Sequence, residues 1–132
     1  MSYLIDTDWA IDHLHNVERV AQRLEQLAPE GLGVSIISLA ELYEVIFNST
    51  DPAGNEQALQ DFLSGIDVVP VDEETCRIFG RERGRLRREG KMIADFDLMI
   101  GSTCLRHNLT LLSNNRRHFE QLEGLEIISV NP

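Results

Sequence analysis

Asp6 closes the apolar run Tyr3-Leu4-Ile5, Glu41 follows the apolar run 33–37 by a few residues, and Asp97 lies at the start of a helical stretch. Carboxylates gathered on one edge repel each other unless a cation or protons neutralise them. Hard divalent ions prefer oxygen ligands, and Mg²⁺ usually takes one or two carboxylates with waters and a substrate phosphate. Such an ion activates a water and offsets charge during in-line displacement at phosphorus. An all-oxygen pocket therefore points to phosphate chemistry more than to zinc hydrolysis. His13, His15, His107 and His118 do not combine with Cys76 and Cys104 in a recognised zinc spacing.

Each acid also has a purely structural reading. Asp6 could be a strand-to-helix turn residue. Glu41 lies three residues after Ser38, the spacing of a capping box. Its neighbours Ala40, Leu42 and Tyr43 look core-facing, and an unpaired acid near a buried edge is costly. Asp95 and Asp97 both suit the positive end of a helix. For Asp95 that reading, or an auxiliary role, is preferred; for Asp97 it is not. Asp8 is balanced between helix cap and outer acid of the cluster, while Asp12 and Glu44 read as solvated or paired surface groups.

The elements that must position these groups alternate along the chain. Strands are expected at 3–5, 33–37, 68–71, 110–113 and 126–130. Thr7 or Asp8 is expected to cap a short first helix. An amphipathic helix follows over 17–27, and a third, capped by Ser38, runs to Phe47. Residues 48–55 read as the clearest loop, ahead of a helix over 56–64. Asp72 caps a long polar helix to about Glu89, and a further helix runs from Asp95 to His107, with Asn108 as a left-handed C-terminal residue. Short apolar strands between helices imply a parallel sheet covered on both faces. In such folds the working site lies at the carboxyl ends of the strands. Asp6, the pair Ser38 and Glu41, and the run Ser113-Asn114-Asn115 all fall there.

The 132 residues read as one domain spanning 1–132, with 42% hydrophobic and 26% charged residues, as in ordinary globular proteins. No stretch is long and apolar enough for a membrane span, and the start lacks a secretory pattern, so a cytoplasmic location is expected. The two cysteines read as buried thiols in a reducing compartment. A net charge of −10 argues against indiscriminate nucleic-acid binding. Seven of the 12 basic residues nevertheless lie between Arg77 and Lys91. Arg77, Arg81, Arg85 and Arg88 share a helix face that is either solvated and paired with Glu73, Glu74, Glu82 and Glu89, or an RNA-backbone track. Trp9, Phe47 and Phe62 read as core or dimer-contact residues more than as base-stacking platforms.

Four segments together resemble the PIN-domain ribonucleases, and within them the VapC-type toxins of toxin–antitoxin pairs. They are Tyr-Leu-Ile-Asp-Thr-Asp at 3–8, Val-Ser-Ile-Ile-Ser-Leu-Ala-Glu-Leu at 34–42, Asp-Phe-Asp-Leu-Met-Ile-Gly-Ser-Thr-Cys-Leu at 95–105 and Leu-Leu-Ser-Asn-Asn-Arg-Arg-His-Phe at 111–119. The resemblance implies a three-layer α/β/α fold around a mainly parallel five-stranded sheet, and an endoribonuclease dependent on Mg²⁺ or Mn²⁺. It also implies a homodimer and a cognate VapB-type antitoxin that blocks the active site. On this reading Asp6 and Asp97 hold the metal, with Glu41 as a third or water-mediated ligand. Asn115 places the attacking water, and Ser38 or Ser113 supports the phosphate or the ligands. Asp8 departs from the family's usual Asn, and Asn115 stands where Asp is frequent, although some toxin-type members also carry Asn there.

Asp6-Thr7-Asp8 also resembles the opening of haloacid-dehalogenase-type phosphatases, and acids on a parallel sheet suit a response-regulator receiver. Both need a lysine that the chain does not supply near its last strands, since Lys91 is the only one. The alternative outside enzymes is a catalytically silent PIN-like module that binds RNA or protein.

Overall fold

The computed structural model describes residues 1–130. Strands β1 (Tyr3–Ile5), β2 (Leu32–Ser35), β3 (Asp67–Val69), β4 (Thr110–Leu112) and β5 (Ile127–Ile128) form one sheet in the order β3-β2-β1-β4-β5. Every pairing is parallel, with Tyr3 opposite Leu32 on one side and Thr110 on the other. The expected sheet is therefore present and wholly parallel.

Neighbouring residues of each central strand serve opposite faces. Ile5 and Leu112 pack with Trp9, Val20, Leu24, Leu42, Ile46 and Leu59, which come from α1 (Thr7–Leu14), α2 (Glu18–Leu27), α3 (Ile36–Phe47) and α4 (Pro52–Leu63). Leu4 and Leu111 pack the other way, against Ile100, Cys104 and Phe119 of α6 (Asp95–His107) and α7 (Arg116–Phe119). A smaller cluster of Leu86, Ile93, Leu98 and Leu122 fixes α5 (Glu73–Arg88) on the outside of α6. The layers are α/β/α. Among the described residues no helix is long and apolar enough to cross a membrane.

Several local expectations need correction. The cap of α1 is Asp6 itself, which accepts from the Thr7 N–H, not Thr7 or Asp8. The cap of α3 is Ser35, accepting from the Ile37 N–H, so Ile36 and Ile37 are helical and Ser38 lies within the first turn. The expected loop is helical from Pro52 onward, capped by Asp51. The outer strands are shorter than their apolar runs, because β3 ends before Pro70 and β5 pairs only through Ile127 and Ile128. Cys104 is buried as expected, but Cys76 is exposed on α5. Trp9 is core, whereas Phe47 is 60% exposed and stacked on Tyr43. Asn108 does adopt the left-handed conformation, with φ 59°.

Candidate active site

A parallel sheet aims its strand ends at one edge, and this sheet delivers Asp6 from β1, Ser35 from β2 and Ser113 from β4 to that edge. Asp6 is 4% exposed and Ser113 fully buried. The Asp6 carboxylate accepts from the Thr7 N–H at 2.8 Å and from the Ser113 hydroxyl at 2.7 Å. Ser113 Oγ in turn accepts from the Asn115 N–H at 2.9 Å, which fixes the turn after β4 to the end of β1. Asp8 accepts from the Asn114 N–H at 3.0 Å, and the Asn114 side-chain oxygen takes the Trp9 indole N–H at 3.0 Å. The first and fourth motifs are thereby tied together.

Glu41 and Asp97 come from helices α3 and α6. Glu41 makes no capping box; its carboxylate accepts from the Thr7 hydroxyl at 2.6 Å. Asp97 lies in the first turn of α6 and meets His118 Nδ1 at 2.9 Å. The acids share one electric field. Burial pushes Asp6 up to about 7, and the charges of Asp8 and then Asp97 add to the shift against the pull of Ser113 and Thr7. Burial also raises Asp8 and Glu41, and the Asp97 charge contributes to the rise at Glu41.

Other expected residues stand apart from this field. Asp95 is exposed and paired with Arg83. Ser38 is buried, and its hydroxyl has no hydrogen-bond partner among the described residues. Arg77 and Arg81 pair with Glu73 and Glu74. Arg85 is clamped by Glu82 and Glu89 and also donates to the Gln121 carbonyl at 2.8 Å. The paired reading of that helix face thus describes three of its four arginines. Three residues with a place in the cluster were given no site role from sequence: Thr7, read as a possible cap, Asn114, read only as part of the polar run after β4, and His118. Thr7 adjoins Asp6, and His118 lies one helical turn from Asn115, so spacing from a named acid or amide was the available signal.

The donor set fits a hard divalent ion. Its oxygens are carboxylate and amide, and Asp6 is buried among negative charges that favour a cation. Among the described residues no three acid, histidine or cysteine side chains are already close enough to hold one ion. Thr7 holds Glu41 through Oε1 alone and His118 meets Asp97 at Oδ2 alone, so each contact engages one carboxylate oxygen.

The family model of the PIN domain matches residues 3–125. This chain is a PIN-domain protein. Ribonuclease VapC1 of Methanocaldococcus jannaschii is 33% identical over 94% of this chain and 85% of its own. The tRNA(fMet)-specific endonuclease VapC of Shigella flexneri is 28% identical over 95% of each chain. Among solved structures, VapBC2 from Rickettsia felis bound to a DNA fragment from its promoter contains a chain that superposes with a TM-score of 0.93. The identity is 26%, over 99% of this chain and 100% of that chain. The three-layer fold is that of its VapC structural neighbours.

Proposed function

We infer that the chain is an endoribonuclease, the toxin of a VapBC-type toxin–antitoxin pair, which hydrolyses RNA phosphodiester bonds with Mg²⁺ or Mn²⁺. What supports the reading is the charge of Asp97 acting on both Asp6 and Glu41 beside the carboxyl edge of the sheet, in a chain related to a VapC ribonuclease over 94% of its length. The partners that follow are an RNA substrate, a VapB-type antitoxin and a second copy of the chain.

A bound divalent ion would supply an activated water and charge compensation at the scissile phosphate. Asp6 and Asp97 would hold it, with Glu41 as a third ligand or joined through water. Ser113 and Thr7 keep the Asp6 carboxylate from turning away, as their hydrogen bonds engage both of its oxygens. Asn115 carries no charge and orients the attacking water by hydrogen bonding. Asp8 adds negative potential beside Asp6 while bracing the turn at Asn114.

The test is purified protein on cellular RNA with Mg²⁺, Mn²⁺ or EDTA, beside Asp97→Asn. The Shigella flexneri relative is named for tRNA(fMet), so that RNA belongs in the panel. Discrete cleavage that requires metal is expected, with a loss of roughly 100-fold or more in Asp97→Asn. Absence of cleavage by well-folded wild-type protein across several RNA classes would instead favour the silent binding module.

A further inference from the structure

His118 lies in the fourth segment without a role there, yet it touches two groups of the cluster. Its Nδ1 lies 2.9 Å from Oδ2 of Asp97 and 3.0 Å from the amide nitrogen of Asn115. The two contacts use different tautomers. A carboxylate only accepts, so Nδ1 must carry a proton to bond Asp97; without that proton it accepts from Asn115. The ring is 43% exposed while the Asp97 side chain is 19% exposed. Core packing therefore does not explain where the ring sits.

Asp97 has reason to leave this position. Its charge raises the pKa of both Asp6 and Glu41, so it repels each of them. A donor at Oδ2 offsets that repulsion and fixes which way the carboxylate faces. Hydrogen bonds to a carboxylate are among the stronger ones in proteins, and partners that orient metal ligands commonly change affinity or rate by about 10–100-fold when removed.

We propose that His118 is a positioning residue that holds the Asp97 carboxylate, through Nδ1 alone, in the orientation that receives a divalent ion. This inference rests on the nuclease reading above. It makes a geometric demand that a merely structural ring would not. Nδ1 is two bonds from Cβ, as the side-chain nitrogen of asparagine is, whereas the glutamine nitrogen lies one bond further out. Asparagine at 118 should therefore restore the contact and glutamine should not.

The experiment compares wild type with His118→Asn, His118→Gln, His118→Ala and Asp97→Asn. Binding of Mn²⁺ alone is read by electron paramagnetic resonance, and RNA cleavage by single-turnover kinetics. His118→Asn is expected to keep Mn²⁺ affinity within about threefold of wild type, and His118→Gln and His118→Ala to lose about 10–100-fold. Maximal rate should fall in parallel, with the RNA concentration at half-maximal rate unchanged. Should the alanine variant unfold on heating well below the others, the asparagine and glutamine pair decides. Equal Mn²⁺ affinity in wild type and all three His118 variants would overturn the inference, as would equal losses in Asn and Gln. When either of those outcomes comes with a wild type that binds Mn²⁺ and cleaves and an Asp97→Asn that does neither, the positioning role is removed and the nuclease stands. A wild type that neither binds Mn²⁺ nor cleaves would remove both.

Discussion

Asp6 shows how one buried acid can cost stability where it ionises. Its ordinary pKa is 3.8 and the fold pushes it up to about 7, chiefly by burial. The folded state thus favours the protonated acid. Below about pH 4 both states are protonated and nothing is lost; as pH rises towards 7 the unfolded chain ionises first and stability falls. A shift of this size corresponds to as much as about 4 kcal/mol. Asp8 and Glu41 shift in the same direction and deepen the slope. Asp72, held near 2 by its bonds to Thr75 and Arg106, opposes it only in stronger acid. Metal-free protein should therefore melt at lower temperature at pH 8 than at pH 5. Asp6→Asn should flatten the profile and exceed wild type at pH 8, and parallel profiles for the two proteins would count against the argument.

At the scale of elements, Arg85 separates the two readings of the basic helix. Its side chain is 18% exposed and Glu82 16%, so the pair is partly sheltered from water. It also bonds the Gln121 carbonyl and ties α5 to the turn after α7. Arg85→Ala should cost about 1–2 kcal/mol in urea denaturation, since it leaves sheltered acceptors unpaired. Arg88, which joins none of the ion pairs among the described residues, should cost little when replaced by Ala. If Arg85→Ala left stability intact but weakened RNA binding, the track reading would replace the clamp.

The same scale shows what the sequence could tell. Strand existence and the edge that receives Asp6 and Ser113 were legible, because short apolar runs alternating with helices fit a parallel sheet covered on both faces; Asp97 was tied to that edge only by the family resemblance. Cap positions were not. Ser35 and Ser38 both suit a cap, and Ile36-Ile37 suits a strand as well as a helix, so only strand pairing decides between them. Asp51-Pro52 has turn chemistry, but it is also how a helix starts, with Pro in its first turn. The contacts of Thr7 with Glu41 and of His118 with Asp97 span 34 and 21 residues, and no local pattern announces them.

For the whole molecule, the proposed ion would couple folding to binding. Its members come from β1, α3, α6 and the turn after β4, segments that meet only when the sheet is complete. An ion held by Asp6 and Asp97 would thus bind the folded chain and scarcely the unfolded one. At one hundred times its dissociation constant such a ligand stabilises by about 2.7 kcal/mol. For a chain of this size that is a rise in melting temperature on the order of 10 °C. Mn²⁺ should give a saturable rise that is larger at pH 8 than at pH 6, where protons compete for Asp6. Asp97→Asn should lose most of it. The net charge of −10 complicates the measurement, since any cation relieves self-repulsion by screening. NaCl at matched ionic strength separates the two effects: screening raises wild type and Asp97→Asn alike, whereas site binding raises wild type alone. Equal rises with Mn²⁺ in both proteins would mean that the carboxylates repel one another without forming a site.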